Sequence, residues 1–173
     1  MVKIVLLHIY VLVYLWCFIM KIFLISGESG SGKTTIVNQL PYNIIKSYTT
    51  RSKRDDILDN DHTFIKRMDI GKFYDLVAIS YINGEFYFAT KEQFKDDEIN
   101  IYTVDDKGII DTLNYFKEEE VYTVKIVRDN ININKDRMDR KILRYFNDYD
   151  YVLINNSSIK DSVDKLIRWI ENV

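Results

Sequence analysis

Apolar positions along the chain fall into short runs separated by polar, helically spaced segments. The runs KIFLIS (21–26), INIYTV (99–104), VYTVKIV (121–127) and YVLIN (151–155) carry apolar side chains on successive positions, as strands buried on both faces do. Between them the spacing changes to that of helices. Ile36, Val37 and Leu40 give one apolar face before Pro41, and Ile109, Ile110, Leu113 and Phe116 give another. The spacing predicts a third helix over 135–147, and a fourth over 159–172 with Ile159, Val163, Leu166, Ile167 and Ile170 in register. Strands alternating with helices predict an α/β fold, a mainly parallel sheet flanked by helices on both faces. One region breaks the alternation. Residues 43–50 read as a strand leaving the core, 51–61 as charged loop and 62–66 as a short strand. VAISYINGEFYFAT (77–90) then reads as two strands joined at Asn83-Gly84, the preferred two-residue hairpin turn. Residues 47–90 are therefore expected to be a small inserted antiparallel lobe.

The segment after the first run is GESGSGKTT, Gly27 to Thr35. The spacing Gly27-x-x-x-x-Gly32-Lys33-Thr34 is that of a phosphate-binding loop, in which successive backbone N–H groups form an anion cradle. Lys33 reaches the β- and γ-phosphates, the Thr34 hydroxyl is the candidate Mg²⁺ ligand, and the helix beginning near Lys33 adds its partial positive charge. The strand–loop–helix context separates this pattern from a flexible Gly/Ser turn, which needs neither the lysine nor the threonine. Gly27, Ser29, Gly30, Ser31, Gly32, Lys33, Thr34 and Thr35 are thus the candidate ATP-binding positions.

Composition narrows the alternatives. A chain of 173 residues suits one domain with a sizeable core. The formal charge is −2, with 24 basic against 26 acidic residues, so nothing favours electrostatic binding to nucleic acid. The single Cys17 excludes an internal disulfide framework and a cysteine-rich metal site. Residues 1–19 stand apart, because from Val2 to Met20 only Lys3 is charged. Their length suits a membrane anchor, but the first core strand starts at about Lys21 and leaves no linker between bilayer and core. Met20 is itself a plausible start. The expectation is an apolar extension or upstream start, with an anchor and an extra packed element as alternatives, and a cytoplasmic domain at 20–173.

Two sets of arginines carry candidate chemistry. Arg51 and Arg54 follow a strand in SYTTRSKR (47–54), a spacing that suits bidentate phosphate binding or a solvated basic turn. In KDRMDRKILRYF (135–146), Arg137, Arg140 and Arg144 share one helix face. That face is either solvated or closes over a triphosphate to stabilise the transferring phosphoryl group.

From about Lys21 to the C-terminus these residues together resemble guanylate kinase. The most specific parts are GESGSGKTT, S-x-TTR-x-x-R from Ser47 to Arg54, DHTF (61–64), and Tyr87 after the hairpin. VDDKG (104–108) looks like the family's stretch in which an Asp precedes a helix, and DYVLINN (150–156) is similar to its last core strand. The resemblance implies a P-loop NTPase fold with a monophosphate-binding lobe at 47–90 and a short lid at 128–148. It implies ATP with Mg²⁺ as phosphoryl donor and GMP or dGMP as acceptor. Ser47, Arg51, Arg54 and Tyr87 would match residues that bind the acceptor's phosphate and base. Asp105 would match an acidic residue near guanine, and Asp75 would stand where the family carries a guanine-reading glutamate. Arg137 and Arg140 would match lid arginines that act with Lys33 in catalysis. His62 stands where the family has a phosphate-binding tyrosine, Ile57 replaces a loop glutamate, and Phe88-Ala89 replaces the Gly-Ser/Thr that follows Tyr87.

The implied function is ATP-dependent phosphorylation of a nucleoside monophosphate. The alternatives are a kinase for another (deoxy)nucleotide and a non-catalytic guanylate-kinase-like interaction module. Intact Gly27, Lys33 and Thr34 weigh against the module. A transport ATPase of the ABC type would need a longer chain and an SGGQ-like signature, which does not occur.

Overall fold

The computed structural model describes residues 20–53, 60–117, 119–129 and 145–173. The apolar segment 1–19, Arg54, Ile57, Arg137, Arg140 and Arg144 lie outside the described residues, as does most of the lid expected at 128–148.

The chain runs β1 (Lys21–Gly27), α1 (Lys33–Val37), β2 (Asn43–Ile45), β3 (Tyr48–Thr49), β4 (Thr63–Phe64), β5 (Leu76–Ile82), β6 (Glu85–Thr90) and β7 (Ile99–Thr103). It continues through α2 (Asp106–Tyr115), β8 (Glu120–Val127), β9 (Tyr151–Ile154) and α3 (Ile159–Ile170), with short 3₁₀ turns at 67–72, 91–93 and 146–148. Five strands form one parallel sheet in the order β2-β7-β1-β8-β9. A second sheet, ordered β4-β3-β6-β5, is antiparallel except for the β3–β4 pair. The expected α/β fold with an inserted lobe is the observed one.

β1 lies at the centre of the parallel sheet, and Ile22 through Ser26 are all buried. Its side chains alternate between two cores. Ile22 and Leu24 pack with Val77, Ala89, Phe94, Ile109, Phe116 and Tyr149, which joins the sheet to α2 and the lobe. Phe23 and Ile25 pack with Ile36, Val37 and Leu40 from the α1 segment and Val163, Leu166 and Ile170 from α3. The apolar stripe expected of α3 is therefore the buried one. That of α2 is narrower than its spacing implies, because Ile109 and Phe116 are buried while Ile110 is 39% exposed.

The strand expected over 43–50 is two strands in two sheets. Ile45 pairs with Tyr102 in the parallel sheet, and Tyr48 pairs with Phe88 in the lobe. The chain changes sheet at Lys46-Ser47. There the Gln93 side-chain amide donates to the Lys46 carbonyl at 2.8 Å, so the break leaves that backbone group satisfied. The hairpin forms as expected, with Asn83 at φ 50° and Gly84 at φ 85°, the positive pair that a type I′ turn needs. β5 also carries an irregularity that no residue announces. Ala78 sits at φ 54°, and the β5–β6 register shifts between Val77 and Ser80, which is a β-bulge. Among the described residues no helix is long and apolar enough to cross a membrane.

Candidate functional site

The phosphate loop is pressed against the ends of two neighbouring strands. A Cβ on Gly27 would lie 2.3 Å from the Ile126 carbonyl oxygen of β8, so no side chain fits. A Cβ on Gly32 would lie 2.4 Å from Asn155 Nδ2, and Gly32 is also left-handed at φ 91°. Gly30 is left-handed at φ 87°. Lys33 Nζ donates to the carbonyls of Gly27 and Glu28 at 2.6 and 2.7 Å, which holds the ammonium against the loop. Ser29 and Ser31 lie between the glycines. Ser31 is fully buried, and its hydroxyl has no hydrogen-bond partner among the described residues. Thr34 and Thr35 open α1 and are exposed.

Thr34 tests the site for Mg²⁺. Its hydroxyl donates to Asp61 Oδ2 at 2.8 Å, a carboxylate delivered by the lobe. A hydroxyl with an adjacent carboxylate is a hard-oxygen set, the chemistry this cation prefers, so the residues fit the ion.

The lobe brings three of the expected acceptor groups, Arg51, His62 and Tyr87, to one face. Thr49 pairs with Tyr87 and with Phe64, and Tyr87 pairs with Ser80, so these four side chains share a face. His62 packs edge-on to Tyr87 at 5.4 Å and to Phe64 at 6.4 Å. The Arg51 guanidinium lies 5.2 Å from the centroid of the Phe64 ring. Ser47 donates to Tyr102 OH at 3.2 Å, where β7 meets the lobe. Burial pushes the Tyr102 phenol far above its ordinary pKa and the Asp105 carboxylate adds to this, so Tyr102 is a neutral hydroxyl.

Asp105 caps α2 by accepting from Gly108 N–H at 2.7 Å, and accepts from Ser80 Oγ at 3.3 Å. The bulge in β5 makes the second contact possible. It sets Ser80 opposite Tyr87, and Lys107 Nζ donates to the Ile79 carbonyl at 2.8 Å. Asp75 is not part of this group. It is exposed at the start of β5 beside Tyr115, whose phenol pKa is raised by burial first and then by the Asp75 charge. Tyr115 ends α2, whereas Asp105 caps its start. Ten residues of helix, about 15 Å, separate the two ends.

A buried polar cluster supports the loop from beneath. Asp106 Oδ1 accepts from Tyr149 OH at 2.7 Å and from Ser26 Oγ at 3.2 Å, and Lys125 Nζ lies 3.7 Å away. Ser26 is the residue before Gly27.

The sequence profile of the AAA domain matches residues 18–171, nearly the whole chain. The chain belongs to the AAA domain family. A crystal structure of guanylate kinase from Anaplasma phagocytophilum resembles it with a TM-score of 0.63, covering 89% of this chain and 86% of that one at 16% identity. At that identity the likeness establishes the fold alone, a P-loop NTPase fold. No curated protein sequence matches the chain.

In this AAA domain the nucleotide loop is tied down by a residue that the spacing of the motif does not reveal. Asn155, buried just past β9, donates from Nδ2 to the Ser31 carbonyl at 2.8 Å and accepts at Oδ1 from Ser162 of α3, also at 2.8 Å. Its own N–H donates to the Val127 carbonyl at 2.7 Å. One side chain thus ties the loop, the last strand and the last helix together. Its signal in the sequence was its place in DYVLINN, a polar residue closing the last apolar run. Asn155→Ala leaves two buried groups unpaired. It is expected to lower unfolding free energy by about 2–4 kcal/mol, measured by urea denaturation, and to weaken ADP binding measured by calorimetry.

Proposed function

We propose that this chain transfers the γ-phosphoryl group of ATP to a nucleoside monophosphate, with GMP or dGMP as the acceptor. The observation that carries the proposal is the meeting of two surfaces. The phosphate loop, with Lys33 and Thr34, is touched at Thr34 by a lobe whose own face bears Arg51, His62, Tyr87 and Ser80. A domain that only hydrolyses ATP has no need of a second surface built this way.

In this reading the donor phosphates lie on the loop, with Lys33 neutralising the β- and γ-oxygens. Thr34 would hold Mg²⁺, which would supply further charge neutralisation there. Arg51 and Arg54 hold the acceptor phosphate, and His62 and Tyr87 close its side of the cleft. Arg137 and Arg140, assigned by resemblance, stabilise charge on the transferring group. Catalysis is then positioning and electrostatic stabilisation, with no covalent intermediate. Base recognition falls to Asp105 with Ser47 and Ser80. A carboxylate has about four lone-pair sites. Asp105 therefore accepts from guanine N1–H and N2–H₂ while retaining its contacts to Gly108 and Ser80. Adenine presents no such donor pair on that edge. Asp75, at the far end of α2, enters this scheme only if the lobe rearranges on binding.

Coupled ADP release across GMP, dGMP, AMP, CMP and TMP tests the reading. A guanine nucleotide is expected to be the fastest acceptor, by up to ~10⁴-fold over the worst, as for sites built on buried polar pairing. Equal ADP release with and without any monophosphate would make the chain an ATP hydrolase and overturn the proposal. A faster rate with AMP, CMP or TMP would overturn only the base assignment.

Lys33→Ala is expected to lower turnover on the order of 10²-fold or more with an unchanged melting temperature, because Lys33 is the only cation within GESGSGKTT. Turnover within about threefold of the parent would contradict the role given to it. Arg51→Ala is expected to raise KM for the acceptor by the equivalent of about 1.5–3 kcal/mol with little change for ATP. Initial-rate kinetics with each substrate varied in turn would show this, and equal effects on both substrates would place Arg51 elsewhere.

A further inference from the structure

On the α1 face, the described positions of β7 and β8 beside the loop are not carboxylates. Thr103 of β7 lies opposite Ile25, whose side chain packs against the α1 segment, and β8 presents Val124 and Ile126 on that face. The two acidic residues that follow β7 are engaged on the other side. Asp105 caps α2 and meets Ser80, and Asp106 lies in the cluster with Ser26, Lys125 and Tyr149. P-loop NTPases hold Mg²⁺ with the loop hydroxyl and a nearby aspartate. Here the carboxylate in contact with the loop hydroxyl is Asp61, from the inserted lobe.

We propose that Asp61 is the positioning carboxylate of the metal site, supplied by the monophosphate-binding lobe instead of by a core strand. A hydroxyl that donates its proton to Asp61 turns its oxygen lone pairs outward, so Thr34 is oriented to ligate the cation directly. Asp61 then acts from the outer shell, as hydrogen-bonded partners of metal ligands generally do. The lobe holds Asp61 through its immediate neighbours. His62 packs on Tyr87 of the acceptor face, and Thr63 N–H donates to the Ser47 carbonyl at 2.9 Å. Adjacent residues thus face the metal and the acceptor, and the lobe position that seats one also seats the other.

This inference rests on the phosphate-loop reading but not on the identity of the acceptor, so its test uses ADP alone. Isothermal titration calorimetry of the full chain would measure ADP affinity in EDTA and in Mg²⁺, for the parent, Asp61→Asn and Asp106→Asn. Mn²⁺ bound with ADP would be read in parallel by electron paramagnetic resonance. Asp61→Asn is expected to keep its EDTA affinity within about twofold of the parent and to lose ~10-fold or more of the gain that Mg²⁺ confers. Asp106→Asn is expected to keep that gain. An undiminished Mg²⁺ gain in Asp61→Asn overturns the proposal, as does an equal loss with and without metal, which would make Asp61 a support of the loop alone. Loss of the gain in Asp106→Asn but not in Asp61→Asn also overturns it, by returning the metal to the core strand. If the parent fails to bind ADP even in EDTA, the phosphate-loop reading falls and this inference with it, whereas failure to phosphorylate any monophosphate leaves the ADP result standing.

Discussion

The backbone at Gly27 lies so near the Ile126 carbonyl that even one added carbon has no room. The central strand can turn into the phosphate loop there only because its last residue lacks a side chain. Everything that follows is set by that contact. The loop must rise over the end of β8, and Gly32 must then pass Asn155 at a distance that excludes a methyl group. Asn155 in turn fixes α3 through Ser162. A buried amide with both ends paired is expensive to leave half satisfied, so loop, strand and helix move as one body. Binding a polyphosphate then requires little ordering of the protein, and this preorganisation is what lets a short loop supply useful affinity.

The lobe side follows a different logic, that of two sheets exchanging one chain. β2 belongs to the parallel sheet and β3 to the lobe, so the residues at the crossing are held by both. Ser47 lies just after that crossing and meets Tyr102 of the core strand, whose neutral phenol is a polar group that burial cannot ionise. The bulge at Ala78 performs the matching adjustment on β5. A left-handed alanine costs roughly 1–2 kcal/mol, and such strain persists only where the surroundings enforce it. Here the enforcing contacts are the Lys107–Ile79 hydrogen bond and the meeting of Ser80 with Asp105.

How much of this was legible in the sequence divides along physical lines. Features written by local chemistry could be read directly. The glycine spacing, the Asn83-Gly84 turn, the apolar runs of the parallel sheet and the stripe of α3 all depend on residues close together in the chain. Features that depend on distant partners could not. The resemblance covers the stretches that contain Asp61 and Asn155, but nothing in the sequence tells the contacts of Asp61, Asn155 or Ser80 until the fold brings Thr34, Ser31 and Asp105 beside them. The split of the 43–50 strand belongs to the same class, since β-forming residues on both sides of Ser47 conceal a change of sheet. Ala78 is harder still, because alanine carries no preference for positive φ and the bulge is imposed from outside. Asp75 shows the converse. A carboxylate just before β5 is the natural candidate by resemblance, and the strand, antiparallel to α2, sets Asp75 near Tyr115 at the opposite end of that helix from Asp105.

The largely buried Lys125–Asp106 pair, with Lys125 at 16% side-chain exposure, belongs to the loop more than to the stability of the fold. Taking both charges out of water costs several kcal/mol each, and an apolar pair of similar size would fill the space without that penalty. The compensation seen here is specific to place. Asp106 receives hydroxyl protons from Ser26 and Tyr149 and sits in the first turn of α2, where the helix dipole favours its charge. Lys125 stands opposite Ser26 in the β1–β8 register and reaches the same hydroxyls, at 3.5 Å to Ser26 and 3.4 Å to Tyr149. The cluster therefore converges on the one residue that separates the central strand from Gly27. An apolar replacement would fill the volume but leave the Ser26 hydroxyl with nothing to orient it, and the loop would leave the sheet from a less defined point. Directional bonds are what a strand needs where it must stop being a strand at a given residue, and this cluster places them there.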